Sequence, residues 1–427
     1  GGEQMGKNNY FKEAKKSYTP LLAIEEASRC LLCYDAPCSK NCPADTKPDE
    51  FIRSLRFKNL KGAVETIRKN NILGGVCSRL CPQDKYCQKN CTRAKIDKPI
   101  EIGAIQRYLI EFEKSIDLDI LNKVEINKEK IAIIGSGPGG LSAAASLAQK
   151  GYDVTIFEKK EKFGGWLTYG IPEYRLPQNL VDYEIDIIKK LGVKFKSNCD
   201  VGKDVTVENL QERGFEAIVL ACGQQISKEL DIDGINLKGV LKGTEFLCEA
   251  KLSNGNLEIG QKVIVIGGGD VAIDSAVTAK LLGAEDVKIV YRRNIEKMPS
   301  NKNERIYAHS LNIPIFTGIK PNRLIGTSGK VTGFKGIGMF DNSDLELEAD
   351  AVIFAIGQEA EDISYIDGLK IENNEVLVDE KLNTNIEGIF ACGDIVRGNK
   401  TVVDAVAMGK KVAVEIEEYI KRKKGVR

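Results

Sequence analysis

Apolar residues in the first part of the chain recur at helical spacing. Phe51, Ile52 and Leu55, then Leu60, Val64 and Ile67, stand between polar positions and short loops. No strand-like run interrupts residues 20–113, so this stretch predicts a set of short helices. Near Lys130 the pattern changes. An apolar run at 131–134 leads into glycines, an alanine-rich helical stretch at 141–150 and a second apolar run at 154–157. That order makes a βαβ unit. It returns with the run 263–266, the glycines 267–269, a helical stretch at 271–282 and the run 287–290. Residues 385–394 then read as a strand and tight turn, and 402–419 as a closing helix. The expected architecture is α/β: an all-helical domain over 1–127, then two Rossmann-like nucleotide domains. The first of these is split into 128–238 and 353–427 around the second, at 239–352.

Length and composition narrow the function classes. At roughly 150 residues per domain, 427 residues allow two or three domains, more than a single small binding module. Lys plus Arg (62) nearly cancels Asp plus Glu (61), and no long basic run offers a face for phosphates, so nucleic acid is not an expected partner. No apolar run approaches the roughly 18 residues of a membrane span, and no signal peptide is visible; the expected location is the cytoplasm. Gly1 to Gln4, ahead of Met5, read as a cloning remnant.

Twelve cysteines in a chain of this kind point to metal or redox chemistry rather than disulfides. Eight of them fall in the first 91 residues, as Cys30-x2-Cys33-x4-Cys38-x3-Cys42-Pro43 and Cys77-x3-Cys81-Pro82-x4-Cys87-x3-Cys91. Spacings this short let a loop wrap a cubane, and a proline after cysteine is a feature of bacterial ferredoxin runs. The rival is zinc, which favours paired knuckles often completed by histidine, and the one histidine, His309, is far along the chain. Two 4Fe-4S clusters are the expectation. Spacing alone makes Cys77 the eighth ligand.

Gly135-x-Gly137-x-x-Gly140 follows a predicted strand and opens a helix, so its backbone can approach a pyrophosphate. Glu158, 23 residues on at the end of the next strand, can accept from the ribose hydroxyls of an unphosphorylated adenosine. The second turn, Gly267-x-Gly269-x-x-Ala272, has no acid at the matching place. Tyr291 is followed there by Arg292 and Arg293, and arginine can fork onto a 2′-phosphate, which favours NADP(H) over NAD(H). An acidic first site and a basic second site suit FAD beside NADPH. Gly393-Asp394, before a helix starting near Thr401, can offer a carboxylate to the flavin ribitol and a helix N-terminus to the reduced ring. No Cys-x-x-Cys lies outside the N-terminal region. Cys222, Cys248 and Cys392 read as packed thiols, and Trp166 and His309 as structural.

With clusters and turns in this order, the chain resembles the glutamate synthase small-subunit-like family of electron-input modules, and within it the flavin and iron–sulfur subunits of dihydropyrimidine dehydrogenases. The likeness runs from about Tyr18 to Gly409. It is carried by Ser28-Arg-Cys-Leu-Leu-Cys, Ala36-Pro-Cys, Phe51-Ile-Arg-Ser, Gly164-Gly-Trp-Leu, Gly170-Ile-Pro, Arg175-Leu-Pro, Gly267-Gly-Gly-Asp-Val-Ala, Asp394-Ile-Val and Lys400-Thr-Val-Val. The resemblance implies crossed cluster ligands: Cys30, Cys33, Cys38 and Cys91 on one cluster, and Cys42, Cys81 and Cys87 with Gln106 on the other. Cys77 is then spare. It also implies FAD contacts from Gly135, Gly137, Pro138, Gly139, Gly140, Glu158, Lys159, Gly165, Trp166, Arg175, Val201, Gly393, Asp394, Thr401 and Val402. NAD(P)H contacts fall to Gly267, Gly269, Asp270, Val271, Ala272, Arg292, Arg293, Ala355, Ile356 and Gly357. The implied activity is NAD(P)H oxidation at FAD, with electrons relayed to an FMN and iron–sulfur subunit that reduces uracil or thymine, in a hetero-oligomer. Tyr291-Arg-Arg departs toward the NADPH-using glutamate synthase subunit, so a glutamate synthase or ferredoxin:NADP reductase input subunit stands as the alternative. A non-catalytic assembly subunit is the alternative of another class.

Overall fold

The computed structural model describes residues 10–425, so the leading residues 1–4 lie outside it. The N-terminal region is helical, with Pro20–Ser28, Pro48–Arg56, Leu60–Asn70, Gly74–Leu80 and Ile102–Ser115 as its main elements. Local chemistry starts several of them. Proline stands at the first position of Pro20–Ser28 and Pro48–Arg56, where its missing N–H is not needed, and Thr19 and Asn59 cap by accepting from Leu22 N and Gly62 N. The buried faces of Pro48–Arg56 and Leu60–Asn70 carry Phe51, Ile52, Leu55, Val64 and Ile67, the positions picked out by spacing.

The chain divides into two compact units. One comprises 15–168, 178–224 and 360–425 among the described residues, and so holds the helical region together with a five-stranded parallel sheet. Its strand order is Ile389–Ala391, Phe215–Leu220, Lys130–Ile134, Asp153–Phe157, Lys194–Lys196. Strand Lys130–Ile134 is buried after its first residue, as a central parallel strand covered on both faces should be. Helix Pro138–Ala148 makes the crossover to Asp153–Phe157, with Ile131 opposite Val154.

A buried charge network joins the helices of this unit. The Arg68 guanidinium is fully enclosed and donates to Glu113 (2.7 Å), Glu184 (2.6 Å) and the Ile72 carbonyl (2.6 Å). Glu184, on helix Gln178–Lys190, also accepts from Gly75 N (2.7 Å) and Val76 N (3.1 Å) at the start of the helix that carries Cys77.

The other unit comprises 10–14, 169–177 and 225–359 among the described residues. It repeats the parallel arrangement in the order Val240–Lys242, Ala351–Ala355, Lys262–Gly267, Asp286–Tyr291, Ile315–Thr317, beside a three-stranded antiparallel sheet, Ile319–Thr327, Lys330–Gly338 and Asp344–Glu348. Phe334, Phe354, Ile264 and Val352 lie in its core. Among the described residues no helix is long and apolar enough to cross a membrane.

Candidate functional site

The glycines of the first turn have separable physical reasons. Gly135 has φ +102°, and a Cβ there would stand 2.5 Å from the Ala221 carbonyl oxygen; at Gly140 it would stand 2.2 Å from the Gly135 oxygen. Packing alone demands these two. At Gly137 a Cβ would approach nothing in the protein nearer than 4.0 Å. Space left open at the middle glycine, at the N-cap of helix Pro138–Ala148, fits a pyrophosphate approaching the backbone.

Three other segments close on this turn. Gly165 brings its backbone against Gly137, where a Cβ would sit 2.9 Å from the Gly137 Cα, and Trp166 opens the short helix Trp166–Tyr169 behind it. Gly139 packs on Cys392 and Gly393, with its added Cβ 3.4 Å from the Gly393 nitrogen. Glu158 is buried and accepts from Ser136 N (3.1 Å), Ser136 Oγ (2.6 Å) and Lys160 N (3.0 Å). Ser136 Oγ in turn accepts from Gly164 N (3.0 Å), so one hydroxyl wires the acid to the double-glycine turn. Ser136 fills the variable position of Gly135-x-Gly137, and nothing in the spacing marks it. Val201 is buried near the same strand end, where Cys199 N donates to the Glu158 carbonyl (3.0 Å). Lys159 pairs with Glu361.

Gly393 has φ +77°, and the turn after it is held by Lys400, which donates to the Asp394 carbonyl (2.6 Å) and pairs with Glu375 (2.9 Å). Burial pushes the Asp394 carboxyl up to about 6, with Lys400 opposing and Asp404 adding. Thr401 caps the closing helix Val402–Lys423 by accepting from Asp404 N (3.3 Å).

The second turn follows the same logic. A Cβ on Gly267 would stand 2.2 Å from the Ala355 carbonyl oxygen and one on Gly268 would strike the Tyr291 ring at 2.3 Å, while at Gly269 it would meet nothing within 4 Å. Ala272 takes the third glycine's place, and its Cβ would be 3.1 Å from one on Gly267. Asp270, ahead of Val271 on helix Asp270–Leu281, accepts from Asn301 N (2.8 Å). Ala355 ends strand Ala351–Ala355, Ile356 follows, and Gly357 has φ +127° and accepts from Lys228 N (3.0 Å). Arg292 and Arg293, just past strand Asp286–Tyr291, are exposed. Arg175 belongs to this unit rather than to the one with the Gly135 turn. Its guanidinium pairs with Asp274 (2.6 Å), which also accepts from Tyr174 Oη (2.8 Å), and lies 3.7 Å from Glu304. Burial raises Asp274 to about 6, and Arg175 opposes that rise.

The eight N-terminal thiols gather as two neighbourhoods. Burial raises Cys30, with the charges of Cys91 and Cys33 adding, and pushes Cys38 up to about 12, with Asp49, Cys30 and Cys91 adding. Burial likewise pushes Cys87 up to about 12, with Cys42 and then Cys38 of the first group adding, and raises Cys81, with Cys77, Cys87 and Cys42 adding. Among the described residues no three histidine, cysteine or carboxylate side chains converge closely enough to hold a single ion. Two groups of soft thiol donors, with one cysteine of each followed by proline, are the donor chemistry of an iron–sulfur cluster. Backbone amides serve the sulfurs: Thr46 N donates to Cys42 Sγ (3.4 Å), and Leu32, at φ +50°, turns its N–H to Cys30. Gln106 is buried, and its Nε2 donates to the Gly74 carbonyl (2.6 Å), which starts the helix bearing Cys77. Cys77 is itself buried and pushed up to about 12 by that burial, with Asn71 donating to it. Cys77 therefore stands beside Cys81, and Gln106 at the start of the helix that carries Cys77.

Comparison with known proteins bears on these features. Residues 129–409 match the family model described as pyridine nucleotide-disulphide oxidoreductase, and residues 7–117 match that described as dihydropyrimidine dehydrogenase domain II, 4Fe-4S cluster. The chain is 42% identical over 416 residues to the NAD-dependent dihydropyrimidine dehydrogenase subunit PreT of Escherichia coli K12, covering 97% of this chain and 98% of that one. It is 30% identical to the glutamate synthase [NADPH] small chain of Azospirillum brasilense, over 97% and 92% of the two chains. The T. acidophilum thioredoxin reductase structure superposes with a TM-score of 0.56 at 22% identity, over 69% of this chain and all of that one, a likeness of fold.

Proposed function

Because the chain belongs to the pyridine nucleotide-disulphide oxidoreductase family, and within it to the PreT-like subunits, we propose that it is the electron-input subunit of a dihydropyrimidine dehydrogenase. In this reading it oxidises NAD(P)H at FAD and relays electrons through two 4Fe-4S clusters to an FMN and iron–sulfur partner that reduces uracil or thymine. The observation that supports it most is the presence, in one compact unit, of two thiol neighbourhoods and a glycine turn left open at Gly137. Bound flavin and clusters supply two-electron acceptance and one-electron relay. The chain supplies placement.

FAD is assigned to the Gly135–Gly140 turn, to Glu158 for the adenosine ribose, and to Asp394 with the N-terminus of the closing helix for the ribitol and ring. NADPH is assigned to the Gly267–Ala272 turn, with Arg292 and Arg293 on the 2′-phosphate. Cys30, Cys33, Cys38 and Cys91 hold one cluster. Cys42, Cys81, Cys87 and Gln106 would hold the other. The helical residues to about 127, the split flavin domain and the inserted nicotinamide domain are the functional divisions, working in the cytoplasm.

The purified chain is expected to reduce an artificial electron acceptor with NAD(P)H and to leave uracil unchanged until the FMN-bearing partner is added. Steady uracil consumption by the chain alone overturns the assignment of pyrimidine chemistry to a partner. Cys81→Ala should lose one cluster's iron while Cys77→Ala keeps both, as read by iron content and EPR. Equal iron loss in the two variants makes Cys77 a ligand.

A further inference from the structure

The closing helix Val402–Lys423 begins beside the flavin-type Gly393-Asp394 turn and reaches the second thiol neighbourhood with two side chains of opposite charge. Near its start, Asp404 accepts from the Tyr86 hydroxyl (2.6 Å), and Tyr86 immediately precedes Cys87. The Asp404 charge acts on the Cys81 and Cys77 thiols. Further along, the Lys410 ammonium donates to the carbonyls of Ala44 (2.6 Å) and Asn70 (2.7 Å), two residues past Cys42 and one before Asn71. Cys42 is among the charges that act on Lys410. Both side chains are half-buried, where a charge is less screened than at an exposed surface. The helix has little freedom to move away. A Cβ on Gly409 would stand 2.4 Å from the Gly139 oxygen and 2.8 Å from the Ala143 nitrogen, so its backbone lies directly against helix Pro138–Ala148.

We propose that this helix sets the reduction potential of the cluster held by Cys42, Cys81 and Cys87 through its two charges, Asp404 lowering the potential and Lys410 raising it. The inference rests on the cluster assignment above. Reduction adds one electron to the cluster, and the electron comes from NAD(P)H by way of the flavin. A nearby carboxylate opposes that added negative charge and a nearby ammonium favours it. Neither residue is among the assigned cluster ligands, and both act through charge, as positioning residues.

The test is an anaerobic redox titration of the cluster EPR signals in the full-length holoprotein, with iron and FAD content measured alongside. Asp404→Asn keeps an acceptor for Tyr86 and removes the charge; it should shift one cluster's midpoint upward. Lys410→Met keeps most of the side chain and should shift the same signal downward. Each shift should be about three- to tenfold in the reduction equilibrium, a tenfold change being 59 mV for one electron. The other cluster's signal should stay in place, and Lys410→Arg, which keeps the charge, should titrate like the wild type. A structural role alone would move both variants in one direction or lower their iron content together. Shifts of the same sign, or none with iron retained, overturn the inference. A wild-type protein without iron overturns the cluster assignment instead.

Discussion

Arg68→Met should destabilise the unit that contains the helical region by about 3–5 kcal/mol, the range for removing one partner from a buried ion network. The guanidinium is fully enclosed, and its loss leaves Glu113 and Glu184 facing each other without a counter-charge. Burial already lifts the Glu113 carboxyl above its ordinary range, with Arg68 opposing the rise, so removal of Arg68 should raise it further. Glu184 cannot be given up as easily, since it also accepts from Gly75 N and Val76 N. Denaturant unfolding of the single variant, set beside Arg68→Met with Glu113→Leu and Glu184→Gln, measures the effect. The triple variant should recover much of the loss, because it leaves no unpaired charge and keeps an acceptor at position 184. A single-variant cost below about 1 kcal/mol would mean that water enters and solvates the carboxylates.

The sequence was legible where chemistry is local. Each cysteine group spans few residues, and each βαβ unit declares itself by apolar runs separated by glycines, so the helical region and the two parallel sheets were readable from the pattern. Pairings between distant residues left no such trace. Arg68 meets Glu113 45 positions away and Glu184 116 positions away, and Tyr86 meets Asp404 318 positions away. None has a period or a spacing. The segment 169–177 is a sharper case. It lies within the expected first nucleotide domain, 128–238, and holds the expected FAD contact Arg175, yet it groups with residues 225–359, where Tyr174 and Arg175 both bind Asp274. A glycine fingerprint also leaves unsaid which glycine serves packing and which serves ligand. Only the contacts separate Gly135 and Gly140, which backbone oxygens confine, from Gly137, which faces open space.

Converting Arg292 and Arg293 to alanine should weaken NADPH binding roughly ten- to a hundredfold while changing NADH binding about twofold or less. Charge-assisted hydrogen bonds from arginine to a phosphate are worth about 1.5–3 kcal/mol, and each 1.4 kcal/mol is tenfold in affinity. The structure supplies the conditions for an effect of that size. The buried Tyr291 ring packs against Gly268 and its hydroxyl donates to the Lys297 carbonyl (2.8 Å), which fixes the strand end from which both arginines project. Neither guanidinium is engaged by a carboxylate among the described residues, so neither must leave a protein partner to reach a phosphate. No acid stands at the strand end, where Glu158 occupies the matching place in the other sheet. Dissociation constants for both nucleotides, measured with wild type and double variant across a range of salt, decide the matter, since a surface-charge effect would fade with ionic strength for both nucleotides alike. A wild type that already binds NADH more tightly than NADPH would mean that the pair is ordinary surface charge, and that discrimination at this turn comes from another residue.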